Sequence, residues 1–151
     1  ESETGVVIIF GSMYGNTEMM ADFTARRLSE KGIKNIRVRD ASKTHLSHLI
    51  DEVWRFKGVM LGSAAYNTRM LPTMEQFTRA IEHIAPKNRL LGIFGSYSWT
   101  GGGVKSLKQF AENMEWDMVG EPVDIKGMPG EAAFSDCAQL ADKMADQLLN
   151  G

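Results

Sequence analysis

Two hydrophobic rhythms alternate along the chain: short unbroken apolar runs, then longer stretches in which apolar residues recur three and four positions apart. The run Val6-Val7-Ile8-Ile9-Phe10 is largely β-branched and apolar on both faces, which predicts a central strand covered by helices on either side. From Asn16 to Lys31 the apolar residues, Met19, Met20, Phe23 and Leu28 among them, follow helical spacing, and Gly32 supplies a C-terminal stop. Ile36-Arg37-Val38-Arg39 alternates like a more exposed strand, and Leu46, Leu49, Ile50 and Val53 mark a short second helix ending near Phe56. Gly58-Val59-Met60-Leu61-Gly62 repeats the buried-strand pattern, and a helix follows from about Pro72, a residue favoured in a first turn. Leu90 to Phe94 predicts a fourth strand, Val104 to Met114 a fourth helix, Met118 to Ile125 a fifth strand, and Ala133 to Leu149 a last amphipathic helix.

Regular strand–helix alternation implies an α/β fold with a doubly wound parallel sheet, whose ligands are expected at the carboxyl ends of the strands where the winding reverses. Function is therefore expected in the loops after the first, third and fourth strands. No repeat and no Pro/Gly/Ser-rich linker divides the sequence, so residues 1–151 read as a single domain. Hydrophobic residues at 43% and charged residues at 24% exclude disordered, collagen-like and disulfide-scaffold classes. The 17 basic and 19 acidic side chains leave a net charge of −2, too balanced for the basic footprint of a nucleic-acid binder. Cys137 is the only cysteine, which excludes an intrachain disulfide and a multi-thiolate zinc site. No apolar run approaches the ~20 residues needed to span a bilayer, and the polar, acidic start Glu1-Ser2-Glu3 is unlike a secretory signal. A cytoplasmic protein with no membrane partner is the expectation. The absence of an initial methionine suggests a processed N-terminus or a domain excised from a longer protein.

Three loops carry the candidate chemistry. Gly11-Ser12-Met13-Tyr14-Gly15-Asn16-Thr17 joins a buried strand to a helix and crowds hydroxyls, glycines and free N–H groups at the positive end of a helix dipole. It lacks the Gly-Lys-Ser/Thr of a nucleoside-triphosphate loop and the Gly-x-Gly-x-x-Gly of a dinucleotide fold, and it contains no Lys or Arg. One phosphate held by neutral donors fits it; so does an ordinary strand–helix turn capped by Asn16 or Thr17. The second loop, residues 63–69, places Tyr66 at a strand's carboxyl end, a candidate platform for a flat ligand. The third, Phe94-Gly95-Ser96-Tyr97-Ser98-Trp99-Thr100-Gly101-Gly102-Gly103, combines two large rings, three hydroxyls and glycines that permit close backbone approach.

The first loop resembles the flavodoxin phosphate loop, Ser/Thr-x-Thr-Gly-x-Thr, with Tyr14 in place of the middle hydroxyl residue. Asn67 stands where flavodoxins commonly have glycine, and asparagine tolerates positive φ. Taken together, residues 12–18, Tyr66-Asn67 before Pro72, and residues 95–102 are similar to the flavodoxin-like domain of flavodiiron proteins, the A-type flavoproteins. That resemblance covers essentially the whole chain and implies a five-stranded sheet in the order 2-1-3-4-5 and FMN as cofactor. It also implies electron delivery to a redox partner, a diiron site in a separate domain that reduces dioxygen or nitric oxide. By the same resemblance Ser12, Met13, Tyr14, Gly15, Asn16 and Thr17 would hold the phosphate. Ala64, Ala65, Tyr66 and Asn67, together with Ser96, Tyr97, Ser98, Trp99, Gly101 and Gly102, would enclose the ring system. No side chain is expected to perform covalent catalysis, since the cofactor carries the redox chemistry.

His45, His48 and His83 are not set in a carboxylate–histidine cluster, so no metal site is expected, and Cys137 reads as a buried structural thiol. The three loops contain no Asp or Glu, which predicts a less depressed potential for fully reduced flavin than in acidic flavodoxins. A near-neutral surface steers a separate partner weakly, which favours delivery by a tether or a homodimer contact. The rival readings are a standalone flavodoxin, an FMN-dependent NAD(P)H:quinone reductase and, more remotely, a flavin-free receiver or binding module on the same fold.

Overall fold

The computed structural model describes residues 2–84 and 86–151. β1 (Glu3–Gly11) is buried from Gly5 onward, and its side chains alternate between two apolar layers. α1 (Asn16–Glu30) leads to β2 (Ile36–Asp40), and α2 (Leu46–Arg55) to β3 (Phe56–Tyr66). Both strands pair with β1 in parallel, so that Ile8 lies opposite Val38 on one side and Met60 on the other. After β3 come β4 (Arg69–Met70), α3 (Pro72–Ile84), β5 (Leu90–Tyr97) and α4 (Gly103–Met114). β6 (Asp117–Met118), β7 (Val123–Lys126) and α5 (Glu131–Asn150) complete the chain.

The sheet runs β2-β1-β3-β5-β6, with β7 also paired to β5. With the short β4 set aside and β6 and β7 together in the place of a fifth strand, this is the expected 2-1-3-4-5 winding. Val7, Ile9, Val59 and Leu61 face the layer formed by Leu49 and Val53 of α2, Phe77 and Ile81 of α3, and Leu107 and Phe110 of α4. Val6, Ile8, Phe10 and Met60 face Met20 and Leu28 of α1 and Leu140 and Met144 of α5. Cys137 is fully buried in this second layer, and burial pushes its thiol up to about 11, the state of an inert packing residue.

Three local features depart from the sequence reading. The fifth strand is not continuous over 118–125 but is split into β6 and β7, each hydrogen-bonded to β5. The break contains Gly120 at φ 63 and Pro122, which has no N–H for a ladder. The third strand begins at Phe56, directly after α2, rather than at Gly58. The last carbonyls of that helix, Val53 and Trp54, accept hydrogen bonds from the Arg89 guanidinium at 2.8 and 2.7 Å, so no connecting loop is needed to satisfy them. Finally, β4 is an antiparallel addition to the end of β3, and it shapes the candidate site.

Candidate functional site

The carboxyl ends of β1, β3 and β5 lie side by side, since Gly11 pairs with Ser63 and Ala64 with Ser96. The loop after β1 enters α1 through Gly15, whose φ of 85 is a left-handed conformation that glycine adopts without strain. Ser12 Oγ accepts the Gly15 N–H at 3.0 Å. No side chain caps α1, and its first helical bond runs from the Met19 N–H to the Gly15 carbonyl. Among the described residues the N–H groups of Asn16, Thr17 and Glu18 have no protein acceptor. These donors converge on the positive end of a helix dipole with no cationic side chain in the loop, a neutral cradle for one anion.

The loop after β3 is a two-residue hairpin. Tyr66 pairs with Arg69, and the intervening Asn67 and Thr68 have φ of 49 and 62, the double positive φ of a type I′ turn. This turn holds Tyr66 at the molecular edge with 44% of its surface exposed. Gly102, at φ 141, packs directly on the Thr68 carbonyl, where any Cβ would collide with backbone. That contact joins the second loop to the third.

The loop after β5 begins inside the protein. Ser96 is buried and its Oγ is 2.8 Å from Thr17 Oγ1, while the Tyr97 carbonyl accepts the Gly127 N–H at 2.7 Å. Beyond Tyr97 the chain turns outward and exposes 92% of Trp99. An open cleft of about 420 Å³ results, walled by Met13 and Tyr14, by Ala65 through Thr68, and by Ser98 through Thr100. Its size suits a cofactor-sized ligand. A depression of about 460 Å³ at the opposite end of the sheet, lined by Ser2, Thr4, Lys57 and the end of α5, has no aromatic wall and lies at the strands' amino ends.

Seven of the residues singled out from the sequence meet in the cleft wall: Met13, Tyr14, Ala65, Tyr66, Asn67, Ser98 and Trp99. Ser12, Gly15 and Asn16 form the adjoining turn, and Ala64 is buried within β3. Thr17 is fully buried, and its hydroxyl meets Ser96 rather than the open cleft. Tyr97 is not part of the wall; its ring edge lies behind Gly101. Gly101 and Gly102 shape the turn into α4 rather than the cleft surface. Thr100, one of the three hydroxyls noted in the third loop, also belongs to the wall, and so does Thr68, which was not singled out although it sits inside a loop that was.

Asp124 carries a signal the sequence did not give. It pairs with Gly95 across β5 and β7, and its carboxylate approaches the positions of Gly95 and Gly101. Partial burial without a counter-ion pushes this carboxyl above the ordinary aspartate range. The three loops themselves lack acidic residues, yet a neighbouring strand brings one behind the third. His45 is the N-cap of α2, its ring nitrogen accepting the Ser47 N–H, and among the described residues no group of three or more potential metal ligands occurs.

Comparisons with known proteins give a consistent result. Rubredoxin-oxygen oxidoreductase of Megalodesulfovibrio gigas is 29% identical over 143 residues, covering 95% of this chain and 35% of that protein. Anaerobic nitric oxide reductase flavorubredoxin of Aeromonas hydrophila is 26% identical over 147 residues, covering 96% of this chain and 29% of its own length. The chain thus spans about a third of the curated relatives it matches. The solved structure of rubredoxin oxygen:oxidoreductase from Desulfovibrio gigas superposes with a TM-score of 0.94 at 28% identity, over 99% of this chain and 37% of that one. The flavodoxin family model matches residues 8–140, a span that takes in all three loops of the cleft, and the chain belongs to the flavodoxin family.

Proposed function

We propose that the cleft binds FMN and that the chain is the electron-transfer module of a flavodiiron-type protein. One observation carries the reading: an uncapped, cation-free helix N-terminus lies at one end of a cleft whose other walls present Tyr66 and Trp99. A terminal phosphate matches the N–H cradle, and a flat ring system matches the exposed aromatic faces. Bound there, FMN would supply the one- and two-electron chemistry.

The chain's own residues bind and orient. The backbone of residues 12–17 takes the phosphate, with Ser12 free to exchange its internal bond for one to the ligand. Tyr66 and Trp99 would cover the ring and exclude water once it is bound. Ser98 and Thr100 would offer hydroxyls to the bound ligand, and Tyr97 supports the loop from behind. Asp124 places negative charge behind the same loop, which acts against an anionic reduced ring.

The direction of electron flow we propose is supported by the names of the relatives, an oxygen oxidoreductase and a nitric oxide reductase, each extending well beyond the matched region. The acceptor we propose is a diiron site in a partner domain, reached by a tether or across a homodimer. The setting is the cytoplasm. No helix among the described residues is long and apolar enough to cross a membrane.

The test is the absorption spectrum and melting curve of the purified chain with and without FMN. A flavin spectrum perturbed on binding is expected, with stabilisation of about 4.1 kcal/mol at a thousandfold excess over the dissociation constant. An unchanged melting temperature in excess FMN overturns the assignment. Turnover of a quinone with a nicotinamide donor would move it to the quinone-reductase branch.

A further inference from the structure

Three methionine side chains stand well exposed: Met128 at 76%, Met13 at 45% and Met19 at 38%. The others are buried in the two apolar layers or packed partly buried against them. Of the exposed three, Met13 alone lines the cleft, where it shares a wall with Tyr14. Its backbone lies inside the turn closed by the Gly15 N–H bond to Ser12 Oγ at 3.0 Å, so the sulfur is presented to the cleft before any ligand arrives.

Thiols and thioethers are the side chains that mild two-electron oxidants attack, and their susceptibility follows access. The one thiol, Cys137, is fully buried and held protonated, which leaves the exposed methionines as targets.

Building on the FMN reading, we propose that Met13 is an oxidation site and that its sulfoxide and bound FMN oppose one another: the sulfur is open to peroxide in the FMN-free chain and shielded in the loaded one. Hydrogen peroxide gives one oxygen atom to the sulfur lone pair. The O–O bond breaks, an S–O bond forms, sulfur loses two electrons, and the second oxygen leaves as water with both hydrogens. The product turns an apolar stretch of wall into a strong hydrogen-bond acceptor. A ring seated against it either leaves that oxygen without a donor or traps the water it has to displace, and both weaken binding. Peroxide thus holds empty chains empty until the sulfoxide is reduced, while loaded chains keep their flavin.

The test is peroxide treatment of the FMN-free and the FMN-loaded chain, with each methionine-bearing peptide read by mass spectrometry. In the FMN-free chain Met13 and Met128 are expected to gain one oxygen well before the buried methionines. FMN is expected to slow oxidation at Met13 by about fivefold or more, through lost access, and to leave the Met128 rate unchanged. After oxidation FMN affinity is expected to fall about tenfold, the order set by one unpaired acceptor, and to recover on treatment with a methionine sulfoxide reductase. Met13→Leu, which keeps apolar bulk without sulfur, is expected to show the same affinity before and after peroxide, whatever its starting value, whereas Met128→Leu loses affinity as the wild type does. Equal rates at Met13 with and without FMN, or an affinity that ignores oxidation, overturn the proposal and leave the FMN reading standing. A loss of affinity that persists in Met13→Leu overturns it too, since another residue is then responsible. A chain that takes no FMN before any peroxide is added overturns both.

Discussion

Thr68 and Gly102 show how closely single positions control the cleft. Thr68 is β-branched at φ 62, a conformation that costs an L-residue roughly 1–2 kcal/mol, and glycine there would lose about 0.5–1 kcal/mol through the freer unfolded chain. Thr68→Gly is thus expected to stabilise the protein by roughly 0.5–1 kcal/mol, read from urea midpoints. Gly102→Ala has the opposite sign: its Cβ meets the Thr68 carbonyl at a φ only glycine tolerates, so a loss of about 1–3 kcal/mol and a weaker cofactor site are expected. Asp124 supplies a pH signature. Its folded-state pKa is raised by burial, so its ionisation opposes folding at neutral pH, and the penalty disappears as pH falls through the folded value. Asp124→Asn should therefore raise the urea midpoint at pH 7 and leave it nearly unchanged below the unfolded aspartate pKa of about 3.9. Little of this was visible in the chain. The turn residues and glycines announced a loop, but the pairing of Ser96 with Thr17 and the approach of Asp124 depend on strands brought together from distant positions.

The helices and long strands, by contrast, were legible because each is long enough for its apolar period to repeat. β1 and β5 read as continuous apolar runs, and the amphipathic stretches became α1 to α5 with ends shifted by only a few residues. β4 contains two residues, too few for any period, and only its pairing with β3 defines it. The break in the fifth strand was signalled by Gly120 and Pro122, but the apolar residues on either side suggested continuity. Packing between elements adds an acid-sensitive term. Glu52 of α2 accepts a two-pronged bond from Arg39 of β2 at 2.8 Å for each contact, and this partner holds its carboxyl below the usual glutamate range. Asp142 of α5 is lowered in the same way by Arg27 of α1. Their contribution is complete above the unfolded carboxylate values of about 4 and is lost as pH falls through the depressed folded values. Glu52→Gln should lower stability at pH 7 and flatten the acid limb of a stability–pH curve. An unaltered acid limb would show that this pair contributes nothing measurable.

The molecule as a whole is built so that both apolar layers end beneath one functional edge. The parallel sheet aligns β1, β3 and β5, and the cleft is assembled from their three loops without a contribution from the helical faces that fill the core. A net charge of −2 leaves little long-range steering, so the electron delivery proposed for this chain should vary only weakly between low and moderate salt. A steep decline with ionic strength would point to a charged docking partner instead of a tether or subunit contact.

The exposure of Trp99 gives the protein an optical property of its own. Its three indoles occupy different surroundings: Trp116 is buried and donates to the Pro86 carbonyl, Trp54 is half exposed at the far end of α2, and Trp99 is almost free at the cleft. Emission from Trp116 should shift to longer wavelength only when the entire fold melts, whereas Trp99 already emits as a solvated indole and should change when its face is covered. Trp99→Phe leaves the first signal and removes the second, so fluorescence alone can separate events at the rim from loss of the native state.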